Sequence, residues 1–176
     1  MKQVGEGKAA AVEEQIHVRG VRPCIVFNDR AEEAVNFYVS LFKNSRVLSM
    51  QRSGGESPIP NGKVLSAIFE LDGREYRAFD GGPSFSFSEG FSLDVTCDTQ
   101  EELDHVWARL TSDGGEEGPC GWLKDRFGVS WQVVPTALGE MMSDDKHGNP
   151  TKVMEAVLKM RKLDIATLKQ AYRTGS

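Results

Sequence analysis

Two stretches of the chain show the same succession of hydrophobic and polar positions. Each begins with a strand-like segment, continues with a helical segment that is apolar on one side, and ends with further strand-like segments. The first helical stripe comprises Ala34, Phe37, Tyr38, Leu41 and Phe42, and the second comprises Leu103, Val106, Trp107 and Leu110. Spacings of three and four residues are typical of one face of an α-helix.

The two helical segments also correspond position by position. Tyr38 and Leu41 lie 69 positions before Trp107 and Leu110. Both segments begin with residue types that favour a helix N-terminus: Asn28 and Asp29 with Glu32 in the first, and Thr99 with Glu102 in the second. We interpret this correspondence as an internal duplication of one βαβββ unit.

The remaining strand-like segments give four strands to the first unit and three to the second. The predicted strands are 21–27, 46–51, 63–71 and 74–79 in the first unit and 91–97, 121–125 and 129–134 in the second. Asp72 and Gly73 predict a tight hairpin. The sequence therefore predicts an α+β fold with a curved mixed sheet, with units at about 21–80 and 91–135 and a helix covering each half. The concave side of that sheet is the expected pocket.

The two ends of the chain differ from the duplicated domain at 21–135. Residues 1–20 form a polar leader, and residues 136–176 form a helical extension. Two helices are predicted to begin at Asn149-Pro150 and at Asp164. Their apolar residues are Val153, Ala156, Val157, Met160, Ile165, Leu168 and Tyr172. Because two units already cover their own sheet, we expect this stripe to cover the cavity mouth, the flank of the sheet or a second subunit, and we favour a homodimer.

Composition excludes several classes of partner. The chain has 176 residues and a net charge of -5, whereas nucleic acids and anionic membranes require a basic face. No apolar run approaches the ~20 residues of a membrane span. The three cysteines, Cys24, Cys97 and Cys120, are too few and odd in number for a disulfide scaffold, which favours the cytoplasm. We expect all three to be small buried thiols.

Three segments carry a family resemblance. They are Cys120–Pro135, which contains the string Gly-Trp-Leu-Lys-Asp, together with Asn36–Tyr38 and Cys97–Trp107. Over about 21–172, the chain resembles the PhnB-like, or demethylubiquinone-methyltransferase-like, branch of the vicinal oxygen chelate (glyoxalase) superfamily. The resemblance implies the duplicated fold and its concave pocket, but it does not imply a particular activity.

The resemblance also implies positions for a divalent metal, which superfamily enzymes hold with His, Gln and Glu side chains. Here those positions contain Arg22 and Pro23, Phe91 and Ser92, and Gln132. Only Gln132 could bind a metal, and its carbonyl oxygen is a weak ligand. The histidines, His17, His105 and His147, are predicted to lie far apart on the surface. We therefore expect neither a metal nor another cofactor.

A methyltransferase would need a site for S-adenosylmethionine. Most such enzymes bind it with a Gly-rich loop after the first strand of a doubly wound sheet. The glycine pairs 54–55, 81–82 and 114–115 all fall at predicted turns instead. A methyltransferase activity is therefore possible by homology but is not supported by these residues.

Strand alternation selects the candidate binding residues. If apolar neighbours face the helices, Ser92, Asp94 and Thr96 face the cavity, and Ser130 and Gln132 do so with Trp131 opposite. Asp94 is either a substrate-binding or general-base carboxylate, or a partnered or edge-exposed one. Trp122, Lys124 and Asp125 form either part of the site or a turn with a capping Asp and a solvated Lys. The candidate set is Asp94, Ser92, Ser130, Gln132, Trp122 and Lys124.

These residues lead to a primary hypothesis and two alternatives. The first is a metal-independent protein that binds a small molecule in the concave cavity as a homodimer. The alternative is an enzyme acting on a small oxygenated or quinone-like substrate, with Asp94 assisted by Gln132 or Lys124. The third possibility is a scaffold whose cavity is filled by its own side chains.

Overall fold

The computed structural model describes residues 18–54 and 59–174. Most of the predicted leader, including His17, lies outside the described residues. The first unit contains β1 (Cys24–Phe27), α1 (Ala31–Leu41), β2 (Arg46–Arg52), β3 (Val64–Leu71) and β4 (Arg74–Asp80). The second contains β5 (Leu93–Cys97), α2 (Gln100–Thr111), β6 (Glu116–Glu117), β7 (Trp122–Lys124) and β8 (Ser130–Pro135). The extension contains α3 (Thr136–Ser143), α4 (Pro150–Val157) and α5 (Ile165–Arg173).

The described strands form two four-stranded mixed sheets with the same topology. The strand orders are β1-β4-β3-β2 and β5-β8-β7-β6, and in each sheet the first strand pairs in parallel with the last of its unit. The predicted α+β class and the duplication of a βαβββ unit are thus confirmed. The strands are distributed over two sheets, with β1 and β5 each at the end of one.

Local sequence signals account for several element boundaries. Asp72 and Gly73 have φ values of 47° and 73°, as a tight hairpin between β3 and β4 requires. The Thr99 side chain accepts from the Glu102 amide, and the Glu102 side chain reaches back to the Thr99 amide, so the predicted capping box is present. The stripe of α2 is buried throughout its predicted positions, which are Leu103, Val106, Trp107 and Leu110.

The start of α1 differs from the prediction. Its N-cap is Arg30, whose side chain makes no capping hydrogen bond, so neither Asn28 nor Asp29 caps the helix. Instead Asp80, at the end of β4, accepts from the Ala31 amide at 2.9 Å and from the Val64 amide at 2.8 Å. Asp80 is 5% exposed, and its carboxylate satisfies two buried donors at once. These two bonds hold the start of α1 against the sheet.

A buried carboxylate joins the two units. Asp125 Oδ2 accepts from the Tyr38 hydroxyl at 2.7 Å and from Trp131 Nε1 at 2.8 Å, while its Oδ1 accepts from the amides of Phe127 and Val129. Tyr38 belongs to α1 of the first unit, whereas the other four residues belong to the second. Burial raises the pKa of Asp125, and these hydrogen bonds oppose the rise. The predicted capping Asp therefore also holds the units together.

The helical extension packs against the second unit of its own chain. The Gln100 side chain donates to the Leu163 carbonyl and accepts from the Ile165 amide, so one amide group fixes the segment before α5. Val153 and Leu168 are fully buried. The stripe that we expected to need a further surface is thus largely covered within the chain, and it gives no separate support for a dimer.

The cysteines differ in exposure. Cys97 is buried, Cys120 is half-buried, and Cys24 is exposed, so the prediction of a buried thiol is wrong for Cys24. The reason is topological: β1 is an end strand, and Cys24 lies on the side of the sheet opposite α1. Ile25 and Phe27 point to the helix side instead and are buried.

Candidate functional site

The six predicted site residues all lie on one face of the second sheet, the face opposite α2, which we call the open face. In the strand register Gln132 lies between Asp94 on β5 and Trp122 on β7, and Ser130 is opposite Lys124. Ser92 immediately precedes β5. Trp131 lies on the other face, is 1% exposed and packs against the ring of Tyr38 at 5.3 Å. The predicted placement of Ser130 and Gln132 on one face and Trp131 on the other is therefore correct.

Several of these side chains are paired with one another or with their neighbours. Gln132 Nε2 donates to Ser92 Oγ at 2.9 Å. Lys124 forms an ion pair with Glu89, which raises the pKa of Lys124 and lowers that of Glu89. The side chain of Asp94 is exposed and has no hydrogen bond or ion pair within the part of the chain that the structure describes. Its environment matches the edge-exposed alternative.

An open cleft lies where the two units meet. It has a volume of about 250 Å³ and lies between β1, the beginning of β8 and the segment 81–92, which connects β4 to β5 and which we call the linker. Of the six predicted residues only Ser130 lines it. The remaining walls are formed by the outer side of β1 around Val26 and by the linker rings Phe85, Phe87 and Phe91.

The linker is held against β1 by close packing. A Cβ atom on Gly81 would lie 2.4 Å from Val26 Cγ1 and 2.8 Å from the Phe85 ring, so only glycine permits this approach. The Phe87 ring meets Phe27 edge-on with centroids 5.6 Å apart. These contacts anchor one side of two rings and leave Phe85 49% and Phe87 38% exposed.

Ser130 differs from the other two serines that line the cleft, Ser86 and Ser88, because it is buried. Ser130 is 3% exposed, and its hydroxyl oxygen has no hydrogen-bond partner within residues 18–54 and 59–174. A buried hydroxyl without a partner costs about 1–3 kcal/mol, so such a group next to an open cleft indicates a place for a ligand atom or a bound water.

The linker aromatics were not predicted as site residues. Phe85 and Phe87 fall between the two predicted units, to which no site was assigned, although two phenylalanines separated by a single serine are unusual in a Gly- and Ser-rich loop. Phe91 is the first residue of the predicted strand 91–97, on the side opposite Ser92 and Asp94. It actually precedes β5 and is 55% exposed.

The side chains do not fit the metal site of superfamily enzymes. No group of three or more His, Cys, Asp or Glu residues that could hold a metal occurs in the described ranges. Arg22 forms an ion pair with Glu75, and the Gln132 amide is bonded to Ser92. His105 is exposed on α2, and His147 is exposed beside Asp144 in the extension. These donors do not form a chelating set.

A second groove, of about 330 Å³, lies between α4 and α5. Lys152, Glu155 and Lys159 are among its lining residues, and Ala156 and Ala171 contribute apolar surface. Lys152 and Glu155 are already paired with each other. This groove has no counterpart to the unpartnered hydroxyl of Ser130, so the cleft between the units is the better candidate site.

A known protein family matches the part of the chain that forms the duplicated fold. The model of the family described as 3-demethylubiquinone-9 3-methyltransferase matches residues 19–134, which span both units and the cleft. The chain belongs to this family. The match ends before the helical extension begins. Among curated proteins no significant match was found.

Solved structures agree with the family assignment. A PhnB protein from Bacillus cereus is 36% identical over 67% of this chain and 100% of its own, with a TM-score of 0.62. A protein from Pseudomonas aeruginosa is 24% identical over 65% and 96%, with a TM-score of 0.54. The fosfomycin resistance protein FosX from Listeria monocytogenes is 14% identical over 72% and 98%, with a TM-score of 0.52. The last two show a shared fold only, and the predicted PhnB-like, vicinal oxygen chelate resemblance is confirmed.

Within the described residues, no helix is both long enough and apolar enough to cross a membrane.

Proposed function

We propose that this PhnB-like protein binds a small molecule in the cleft between its two units. The observation that carries the proposal is the unpartnered hydroxyl of Ser130 beside a cleft of about 250 Å³. Ligand sites are typically concave and mostly apolar, with a few polar groups that fix orientation. The phenyl rings of the linker and the Ser130 hydroxyl match this description.

We propose further that binding requires no divalent metal. Support comes from the side chains themselves, since the superfamily's metal positions contain Arg22 and Ser92 in place of His or Glu, and Gln132, whose carbonyl oxygen is a weak ligand. Gln132 is also engaged with Ser92. A Lewis-acid role would need several hard or borderline ligands converging on one point.

A methyltransferase activity receives little support from these residues. The connections from β1 to α1 and from β5 to α2 contain no glycine, so neither resembles a loop that cradles S-adenosylmethionine. Catalysis by Asp94 on a quinone-like substrate is also less favoured, because this carboxylate is exposed to water and does not line the cleft.

The binding proposal is tested with a variant that fills the cleft. Thermal unfolding of the full chain is measured against a small-molecule library, with and without a chelator, for the wild type, Cys24→Trp and Ser49→Trp. Cys24 is exposed and lines the cleft, whereas Ser49 is exposed on β2 and is the matched control. We expect ligands that raise the melting temperature of the wild type and Ser49→Trp but not of Cys24→Trp, with no effect of the chelator. Shifts that persist in Cys24→Trp, or that require a divalent ion, would contradict the proposal.

We also propose a cytoplasmic homodimer. The free thiols of all three cysteines support a reducing compartment. Among the described strands none pairs with the outer edges of β1 and β5, and end strands of this kind are available for pairing with another chain. Leu158, 67% exposed after α4, offers apolar surface as well. Sedimentation at tens of micromolar should give the mass of a dimer, and a monomer there would contradict it.

A further inference from the structure

The side chains lining the cleft are uncharged. Among the described residues that line it there is no carboxylate, ammonium, guanidinium or imidazole group. The nearest charge that the linker contributes, on Glu89, is already paired with Lys124 on β7. A charged ligand entering this cleft would lose hydration without meeting an opposite charge, which is unfavourable. The lining therefore favours a neutral molecule.

Three of the ten residues that line the cleft are phenylalanines. Phe85, Phe87 and Phe91 come from one linker of twelve residues and keep a large part of their ring surface exposed. Val26 provides aliphatic surface on the opposite strand. Phenyl rings interact favourably with other aromatic rings through stacked or edge-to-face contacts beyond the gain from burial alone. A ligand ring would cover the surface that the linker leaves exposed.

The dimensions of the cleft limit the size of the ligand. An apolar cavity of about 150 Å³ can hold one benzene ring. The volume here, about 250 Å³, therefore suits a molecule of one or two rings rather than a nucleotide-sized cofactor. The buried Ser130 hydroxyl has no partner among the residues that the structure describes, and it can both donate and accept one hydrogen bond.

Building on the binding function proposed above, we propose that the ligand is a neutral aromatic compound of one or two rings. It carries a hydroxyl or ring carbonyl that bonds to the Ser130 hydroxyl, and its ring packs against the linker phenylalanines. Ser130 is then the residue that determines specificity for an oxygen-bearing ring.

Four probes separate the features of this ligand. Naphthol has the proposed ring and oxygen, naphthalene lacks the oxygen, naphthoate adds a negative charge, and decahydronaphthol lacks the aromatic ring. Calorimetric titration of the full chain with each probe should show naphthol binding at least about fivefold more tightly than the other three. A single neutral hydrogen bond is enough for a difference of that size from naphthalene. The lost ring contacts of decahydronaphthol and the desolvated charge of naphthoate account for the other two differences.

Variants assign the preference to Ser130. Ser130→Ala should remove the advantage of naphthol over naphthalene, whereas the matched control Ser49→Ala, at an exposed serine on β2, should keep it. The ligand-free Ser130→Ala protein should be at least as stable as the wild type, because the substitution deletes a buried hydroxyl without a partner. A naphthol preference that survives in Ser130→Ala would show that Ser130 does not bind the ligand oxygen, and a clear loss of stability in that variant would assign the hydroxyl to a bound water. Either result would overturn the proposal.

The outcomes also separate this inference from the binding function. If naphthoate or decahydronaphthol binds as well as naphthol and Cys24→Trp blocks that binding, the cleft is a ligand site and the proposed ligand class is wrong. If Cys24→Trp weakens none of the binding, the cleft is not the site and both proposals are wrong. If none of the four probes binds, the ligand class is overturned, and the library screen decides the binding function separately.

Discussion

Replacing Asp125 by asparagine changes the hydrogen-bonding chemistry of the group that joins the two units while nearly preserving its shape. In the native chain both oxygens of the carboxylate accept hydrogen bonds, and an amide nitrogen could accept from none of the four donors. If the new amide oxygen keeps the two backbone donors of the turn, the amide nitrogen faces Tyr38 and Trp131. The tyrosine hydroxyl can rotate to accept, but the indole N–H cannot.

The expected cost follows from these bonds. Losing a hydrogen bond to a charged group costs about 1.5–3 kcal/mol, and leaving a buried donor unsatisfied costs a further ~1–3 kcal/mol. Asparagine also removes the cost of burying a charge, which is the cause of the raised pKa of Asp125. We therefore expect Asp125→Asn to lower the free energy of unfolding by about 3 kcal/mol.

Urea unfolding at neutral pH, followed by far-ultraviolet circular dichroism, measures this loss without relying on Trp131 fluorescence. Asp94→Asn is the matched control, because Asp94 is exposed and should change stability by no more than ~0.5 kcal/mol. Tyr38→Phe should cost about 2 kcal/mol in the wild type and clearly less in the Asp125→Asn background, since the two groups form one bond. A loss below about 1 kcal/mol for Asp125→Asn, or full additivity with Tyr38→Phe, would refute the assignment of Asp125 as a link between the units.

Three further predictions concern the core, the thiols and the extension. Trp107→Ala should lower the free energy of unfolding in urea by about 3–5 kcal/mol, because the indole is 3% exposed and donates to Glu117 at 2.7 Å. A loss below about 1 kcal/mol would mean that the apolar stripe of α2 contributes little to stability. Thiol alkylation at pH 8, mapped by mass spectrometry, should modify exposed Cys24 quickly and Cys97 hardly at all. Burial raises the pKa of Cys97 to about 11, so roughly one thiol in a thousand is ionised, and rapid labelling there would contradict its burial. Truncation after Gly148 should lower solubility and the melting temperature, since it uncovers the second unit, and an unchanged melting temperature would show that the extension packs only weakly.

Local patterns in the sequence are sufficient to predict the repeated architecture and the faces of the strands. Helix stripes, the capping box at Thr99 and the hairpin at Asp72 are all produced by residues within a few positions of one another. Alternation along β8 likewise predicts that Gln132 and Trp131 lie on opposite faces of the strand, as they do. The candidate set is thus assigned to one face of one sheet, although most of it does not line the cleft.

Contacts between distant parts of the chain depend on tertiary packing instead. Asp80 caps α1 from 49 positions away, and Asp125 bonds to Tyr38 across 87 positions. The linker rings join Ser130 at the cleft, and Cys24 is exposed because its strand ends a sheet. Such contacts are set by how the two units pack against each other and by where the linker runs. Neither leaves a periodic pattern in the sequence, because periodicity reports only which face of a helix or strand is buried and not what lies against it.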